Sequence, residues 1–316
     1  MPSRRDFLFL SAAAAAAAPP MTSKQRVDRA LRGEDVDRPP FTFWHHFGLE
    51  NEPPERHAKA TLDFHSKFRT DIVKVMSDFP YPRTEGRWHD LVVESNPFPD
   101  QLKALELIRD GLNGQTYFVE TIFNPWNQAE KLSSKEEVRR MKDQDPKHLL
   151  AALQAIAESE ANHARKALAA GASGIFLAIA NAQEGILTRD EYARFSRPFD
   201  EFVLQSVAGA PLNILHVHGD KPYLDLFYKG WPAAAINYSI HATGVPLADV
   251  RARYGGVLMA GIDEVHFRTL TAADLGKQIQ RAKDAAGKRF ILAPGCSVPD
   301  PSTDEELLRL PDLLGA

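Results

Sequence analysis

Eight short β-rich runs, each separated from the next by a longer stretch, constrain this chain's fold more than any other feature. They fall at 41–45, 71–76, 116–122, 174–179, 212–216, 234–238, 257–260 and 290–293. Helical periodicity fills 146–170, 189–207, 221–228, 246–254 and 272–286, with apolar residues three and four apart, as in Leu149, Leu150, Leu153, Ile156 and Ala157. Such alternation predicts a parallel sheet wrapped by helices. Eight strands close a (β/α)8 TIM barrel, so 21–316 is read as a single barrel with its active site at the C-terminal rim of the strands. The competing arrangement is an open doubly wound sheet with an added N-terminal piece. Neither a GxGxxG nor a P-loop pattern follows the first run, so a nucleotide cofactor has no support. The segment 80–114, with Pro, Gly and charge scattered through it, reads as an insertion that contributes to a lid.

The first twenty residues, MPSRRDFLFLSAAAAAAAPP, stand apart from this pattern. Arg4 and Arg5, a short apolar run and a small-residue end have the layout of a removable export signal, and SRRDFL resembles the twin-arginine type. The expectation is a periplasmic or exported protein; a start at Met21 would instead leave it cytoplasmic. No run approaches the roughly 20 apolar residues of a membrane span, so none is expected in the mature chain. A net charge of −4 gives no basic footprint for nucleic acid. Cys296, the lone cysteine, excludes an intrachain disulfide and any all-cysteine metal site.

A barrel enzyme carries its chemistry where its strands end. The first run ends at His45-His46, the second at Ser77-Asp78 with Tyr81 close behind, and the third in Asn124 and Trp126. The fourth ends in Asn181, Gln183 and Glu184, the fifth in His216-Val217-His218-Gly219-Asp220, and the sixth in Ser239 and His241. The seventh runs into Asp263 and the eighth into Pro294-Gly295-Cys296. In a strand, residues two apart share a face, so His216 and His218 can enter one pocket with Cys296. Two imidazoles and a thiolate suit Zn²⁺ with an open fourth position, which Asp220 or another rim carboxylate can fill or support. The bland alternative is a pair of strand-end histidines and a buried small thiol. Asp78 is a candidate acid/base or anchor for a cationic substrate, against a plain turn aspartate before Pro80. His45, Tyr81, Asn124, Asn181 and His241 are expected to line the pocket.

With those positions in view, the sequence resembles the uroporphyrinogen decarboxylase superfamily, which includes zinc-dependent methylcobamide:thiol methyltransferases. The resemblance is carried by MTSKQRVDRALRGEDVDRPP, DIVKVMSD, ILHVHGD, RYGGVLMAGID and FILAPGCSVPDPST. It implies a (β/α)8 barrel. In the decarboxylases a strand-end SD aspartate binds the pyrrole NH groups, and Asp78 matches it. In the methyltransferases zinc sits on a strand HxC and a later cysteine, and His216 and Cys296 match that pattern. Two departures matter. Where true decarboxylases carry arginines for an anionic porphyrinogen, this chain reads FTFWHHFGLE, without arginine; and His218 stands where a cysteine is expected. The resemblance therefore implies a zinc enzyme closest to the methyltransferase branch, acting on a small molecule, with a corrinoid carrier and a second copy of the chain as partners to look for. The alternatives are a metal-independent decarboxylase of a uroporphyrinogen-like substrate using Asp78, and an exported binding protein without catalysis.

Overall fold

The structure, a computed structural model, describes residues 20–316; all but the last residue of the expected export signal, 1–20, lies outside the described residues. Seven strands form one curled, all-parallel sheet in chain order: β1 (Ile72–Val75), β2 (Tyr117–Phe123), β3 (Ile175–Ile179), β4 (Ile214–Val217), β5 (Ala235–Asn237), β6 (Val257–Ile262) and β7 (Phe290–Pro294). Side chains alternate across it. Ile72, Val119, Phe176, Ile214, Ala235, Met259 and Ile291 pack together on one face, while Leu177, Leu215, Ile236, Leu258 and Leu292 meet the helices on the other. Both faces are buried, as a parallel sheet requires. The architecture is that of a TIM-barrel-like α/β fold.

The run at 41–45, expected as the first of eight strands, contracts to a single bridge between Phe41 and Leu292. Pro39 and Pro40 have no N–H to donate, so the ladder cannot extend toward the N-terminus. The Phe41 N–H is taken by the Asp71 carboxylate at 3.0 Å. Beyond it, Trp44 O accepts from the Val298 N–H of a loop rather than from a strand. What remains still joins the two sheet edges: Thr42 N donates to Leu292 O at 3.0 Å, and Asp71 N donates to Phe41 O at 2.8 Å. Arg26 and Arg38 pair with the fully buried Asp71 and hold this seam.

Most expected helices form. Pro146–Ala169 and Ala272–Ala286 match their periodic stretches. The stretch at 189–207 breaks at Ser196 into Arg189–Phe195 and Arg197–Gln205, because Pro198 cannot donate back to the preceding turn. The 221–228 stretch shortens to a 3₁₀ turn at Leu224–Phe227, and 246–254 to Leu247–Arg251. Within the expected lid, 80–98 carries neither helix nor strand, and the helix Pro99–Leu112 follows. The irregular part is pinned: Glu94 N donates to Ser159 Oγ, and Asn162 Nδ2 to Glu94 O, both at 2.9 Å. Among the described residues, no helix is long and apolar enough to cross a membrane.

Candidate metal centre and the cavities around it

His216 lies on β4 with Ala178 of β3 and Asn237 of β5 as its register partners. Its ring is buried and stacks on Phe176 with centroids 4.9 Å apart. His218 follows the end of β4, where its N–H donates to Ile179 O at 2.9 Å. That bond continues the strand register, so His218 points the same way as His216 but stands exposed at the mouth. Cys296 arrives from β7 through Gly295, whose N–H donates to the buried Glu264 carboxylate at 3.0 Å. A Cβ at Gly295 would collide with the Ser239 backbone, so only glycine lets the two strand ends approach this closely. The ligand atoms of His216, His218 and Cys296 all lie within 4.8 Å of one another.

Asn237 settles the protonation of His216. Its Nδ2 donates to Met259 O at 2.7 Å and Pro294 O at 2.9 Å, which orients the amide and leaves Oδ1 facing His216 Nδ1 at 2.6 Å. Nδ1 must therefore carry a proton, so Nε2 is the nitrogen left to face a metal. At Cys296, burial opposes the charged form, but the facing His216 and His218 imidazoles stabilise a thiolate and bring the thiol down to about 4. The same contact with Cys296 raises His218. A bound metal would displace the protons these rings share with the thiolate, leaving two neutral nitrogens and a thiolate as donors, a chemistry that fits a zinc-like ion with one position open.

Two cavities flank the triad. One of about 370 Å³ is bounded by Phe123, Ala178, Ala180 and Lys131 together with all three candidate ligands. The other, about 350 Å³, lies on the side of Glu264, Ser239, Gln183 and Asp220, with His218 and Cys296 shared between them. Behind His216, the Lys74 ammonium lies over the rings of Trp44 and Phe176 at 5.4 and 5.2 Å, and burial pushes it down to about 8.

The other expected pocket residues disperse. Asp78 and Tyr81 line a third chamber, which shares Phe123 and Lys131 with the metal cavity. Asn124 and Asn181 are fully buried, away from the cavities, bonded to each other at 2.8 Å and to Ser196. Asn124 also caps the helix Pro125–Leu132. His241 pairs with Asp263 at 3.3 Å. His45 packs its ring against Phe47 and Phe64, and burial lowers its pKa. Asn237, Glu264, Lys74 and Lys131 escaped the sequence reading. Glu264, beside Asp263, and Asn237, the last residue of β5, sat at strand ends where they could have been noticed.

The solved structures similar to this chain fix its fold. A methyltransferase from Methanosarcina mazei superposes with a TM-score of 0.76 at 18% identity, covering 94% of this chain and 99% of its own. A B12-independent methionine synthase from Shewanella sp. W3-18-1 gives 0.61 at 13% identity, with 87% and 92% covered. A putative vitamin-B12 independent methionine synthase from Listeria monocytogenes gives 0.54 at 10%, with 88% and 96% covered. No curated protein matches. The uroporphyrinogen decarboxylase (URO-D) family profile matches residues 79–310, well over half of the sequence. The HVH segment at the end of β4 and the PGC at the end of β7 both fall inside that match, and the chain belongs to the uroporphyrinogen decarboxylase family.

Proposed function

We propose that this protein is a zinc-dependent methyltransferase that transfers a methyl group to a thiol or a related small molecule. The observation that carries the reading is the meeting of His216, His218 and Cys296 within 4.8 Å at the ends of β4 and β7. The fold likeness to a methyltransferase and to methionine synthases supports it. Zinc held there would supply Lewis acidity, lowering the pKa of a thiol or water in its open position. With one thiolate and two neutral imidazoles, the site carries one more unit of positive charge than a His-Cys-Cys set. Asn237 holds His216 in the ligating tautomer. Phe123, Ala178 and Ala180 give the 370 Å³ cavity an apolar side that excludes water from a bound sulfur. A corrinoid carrier would be the methyl donor.

Metal analysis and a methyl-transfer assay test this together. Purified protein should hold about one zinc per chain, His216→Ala should lose it, and methylcobalamin should be demethylated only by the loaded protein and a thiol. Full activity in zinc-free protein would overturn the reading. A second reading, metal-independent decarboxylation, draws on Asp78, whose Oδ2 is buried without a partner in its own chamber. Uroporphyrinogen turnover that survives zinc removal and is abolished by Asp78→Asn would favour it.

A further inference from the structure

The third chamber, of about 170 Å³, lies beside β2 behind Phe123 and Lys131. Four polar atoms of its lining residues are buried without a partner: Asp78 Oδ2, Tyr81 Oη, Glu160 Oε2 and His163 Nδ1. Glu160 and His163 are 1% exposed and Tyr81 4%. His163 Nε2 lies 2.9 Å from Glu120 Oε1, and since a carboxylate only accepts, Nε2 carries the proton and Nδ1 offers a lone pair. The His57 ring approaches Asp78, with Nδ1 3.9 Å from Oδ2. Lys131, also on the wall, has its ammonium 3.0 Å from the Phe123 ring centroid. Among the described residues it makes no ion pair with either carboxyl group.

An unpartnered buried polar atom costs about 1–3 kcal/mol, so four around one small space call for a molecule that completes them. Residues with acceptors (Asp78, Glu160, His163 Nδ1) and with donors (Lys131, Tyr81) both line the space, yet the charged ones do not pair with each other. At roughly 30 Å³ per water-sized group, the volume holds about five or six heavy atoms. We propose that this chamber binds the head of a zwitterionic, α-amino-acid-type substrate, with its ammonium toward Asp78 and Glu160 and its carboxylate toward Lys131 and Tyr81. An α-amino-acid head has five heavy atoms. The rest of the substrate would pass Phe123 and Lys131, which line both spaces, to reach the metal cavity. Burial presses Lys131 down to about 8 and Glu160 upward, and a zwitterion would restore both to their charged forms. That this head belongs to the methyl acceptor rests on the methyltransferase reading; the recognition of a zwitterion does not.

Calorimetric titration of the full chain, zinc-loaded and metal-free, with norvaline, butylamine and pentanoate tests the chamber without any thiol. Norvaline should bind at least ~10-fold tighter than either half-molecule in both forms, the loss expected for one charge-assisted hydrogen bond. Lys131→Met and Glu160→Gln, each checked for folding by circular dichroism, should erase that preference. If neither variant folds, the wild-type preference decides alone. Equal binding of all three probes, no binding, or a preference untouched by both folded variants means a water-filled chamber and overturns the proposal. Homocysteine added to cobalt-substituted protein reads the other hypothesis: no thiolate-to-cobalt absorption beyond that of Cys296 itself, with norvaline still preferred, would sink the methyltransferase reading and keep the chamber. Added absorption with simple thiols and no zwitterion preference would do the reverse.

Discussion

His216 and Asn237 are register partners on neighbouring strands, and the 2.6 Å contact between Nδ1 and Oδ1 decides which imidazole nitrogen is free. The two carbonyls that hold the Asn237 Nδ2 come from β6 and β7, so the tautomer is set by the sheet itself. Loss of such a partner typically costs ~10- to 100-fold in metal affinity. Asn237→Ala should weaken zinc by that factor in chelator competition, with destabilisation from the two unpaired carbonyls. Unchanged affinity in a folded variant would show that the amide does not orient His216.

Cys296 should be a thiolate throughout the neutral range in metal-free protein, because the two imidazoles bring it down to about 4. An ordinary thiol reacts faster with iodoacetamide as pH approaches about 8.5. Here the rate should stay nearly flat from pH 6 to 9. Replacing His218 by alanine removes one of the stabilising rings and should shift the onset of reactivity upward, while added zinc should suppress alkylation. A wild-type rate that climbs tenfold per pH unit would contradict this.

Gly295 is the narrowest point of the site. The collision of a Cβ there with the Ser239 backbone involves main chain on both sides, so no side-chain rotation relieves it. Gly295→Ala should destabilise the fold by roughly 2–4 kcal/mol and displace Cys296, lowering both the melting temperature and the zinc content. A variant with wild-type melting and full zinc would show that β5 and β7 can part without cost.

The sheet was legible because period-two runs bounded by helical stretches leave few topologies, and seven of the eight expected runs are strands. The exception at Phe41 depended on prolines and on a carboxylate thirty residues away, a contact that no local pattern encodes. His216, His218 and Cys296 were readable because side-chain parity and strand ends are sequence properties. Asn124 and Asn181 misled for the same reason: they end strands, but the turns fold back and bury them against Ser196 and Asp200. Glu160 and His163 left a trace that went unread. They fall on the stripe of Leu149, Leu153 and Ile156 along the helix Pro146–Ala169, polar residues where an apolar face should be.

Asp200 offers a last test, through pH. It is fully buried and accepts from Asn124, Ser196 and Tyr192, yet burial dominates those bonds and raises its pKa from 3.8 to about 7. The folded chain thus holds this proton more tightly than the unfolded one. Its contribution to stability is full below about pH 4 and is lost as pH rises toward 7, a swing of roughly 4 kcal/mol for about three pKa units. Other groups titrate with opposite sign, Cys296 among them, so the clean measure is a difference. The stability of Asp200→Asn relative to wild type should climb steadily between pH 4.5 and 7.5 in denaturant titrations and then level off. A difference that stays constant across that window would mean that Asp200 is ionised in the folded protein throughout.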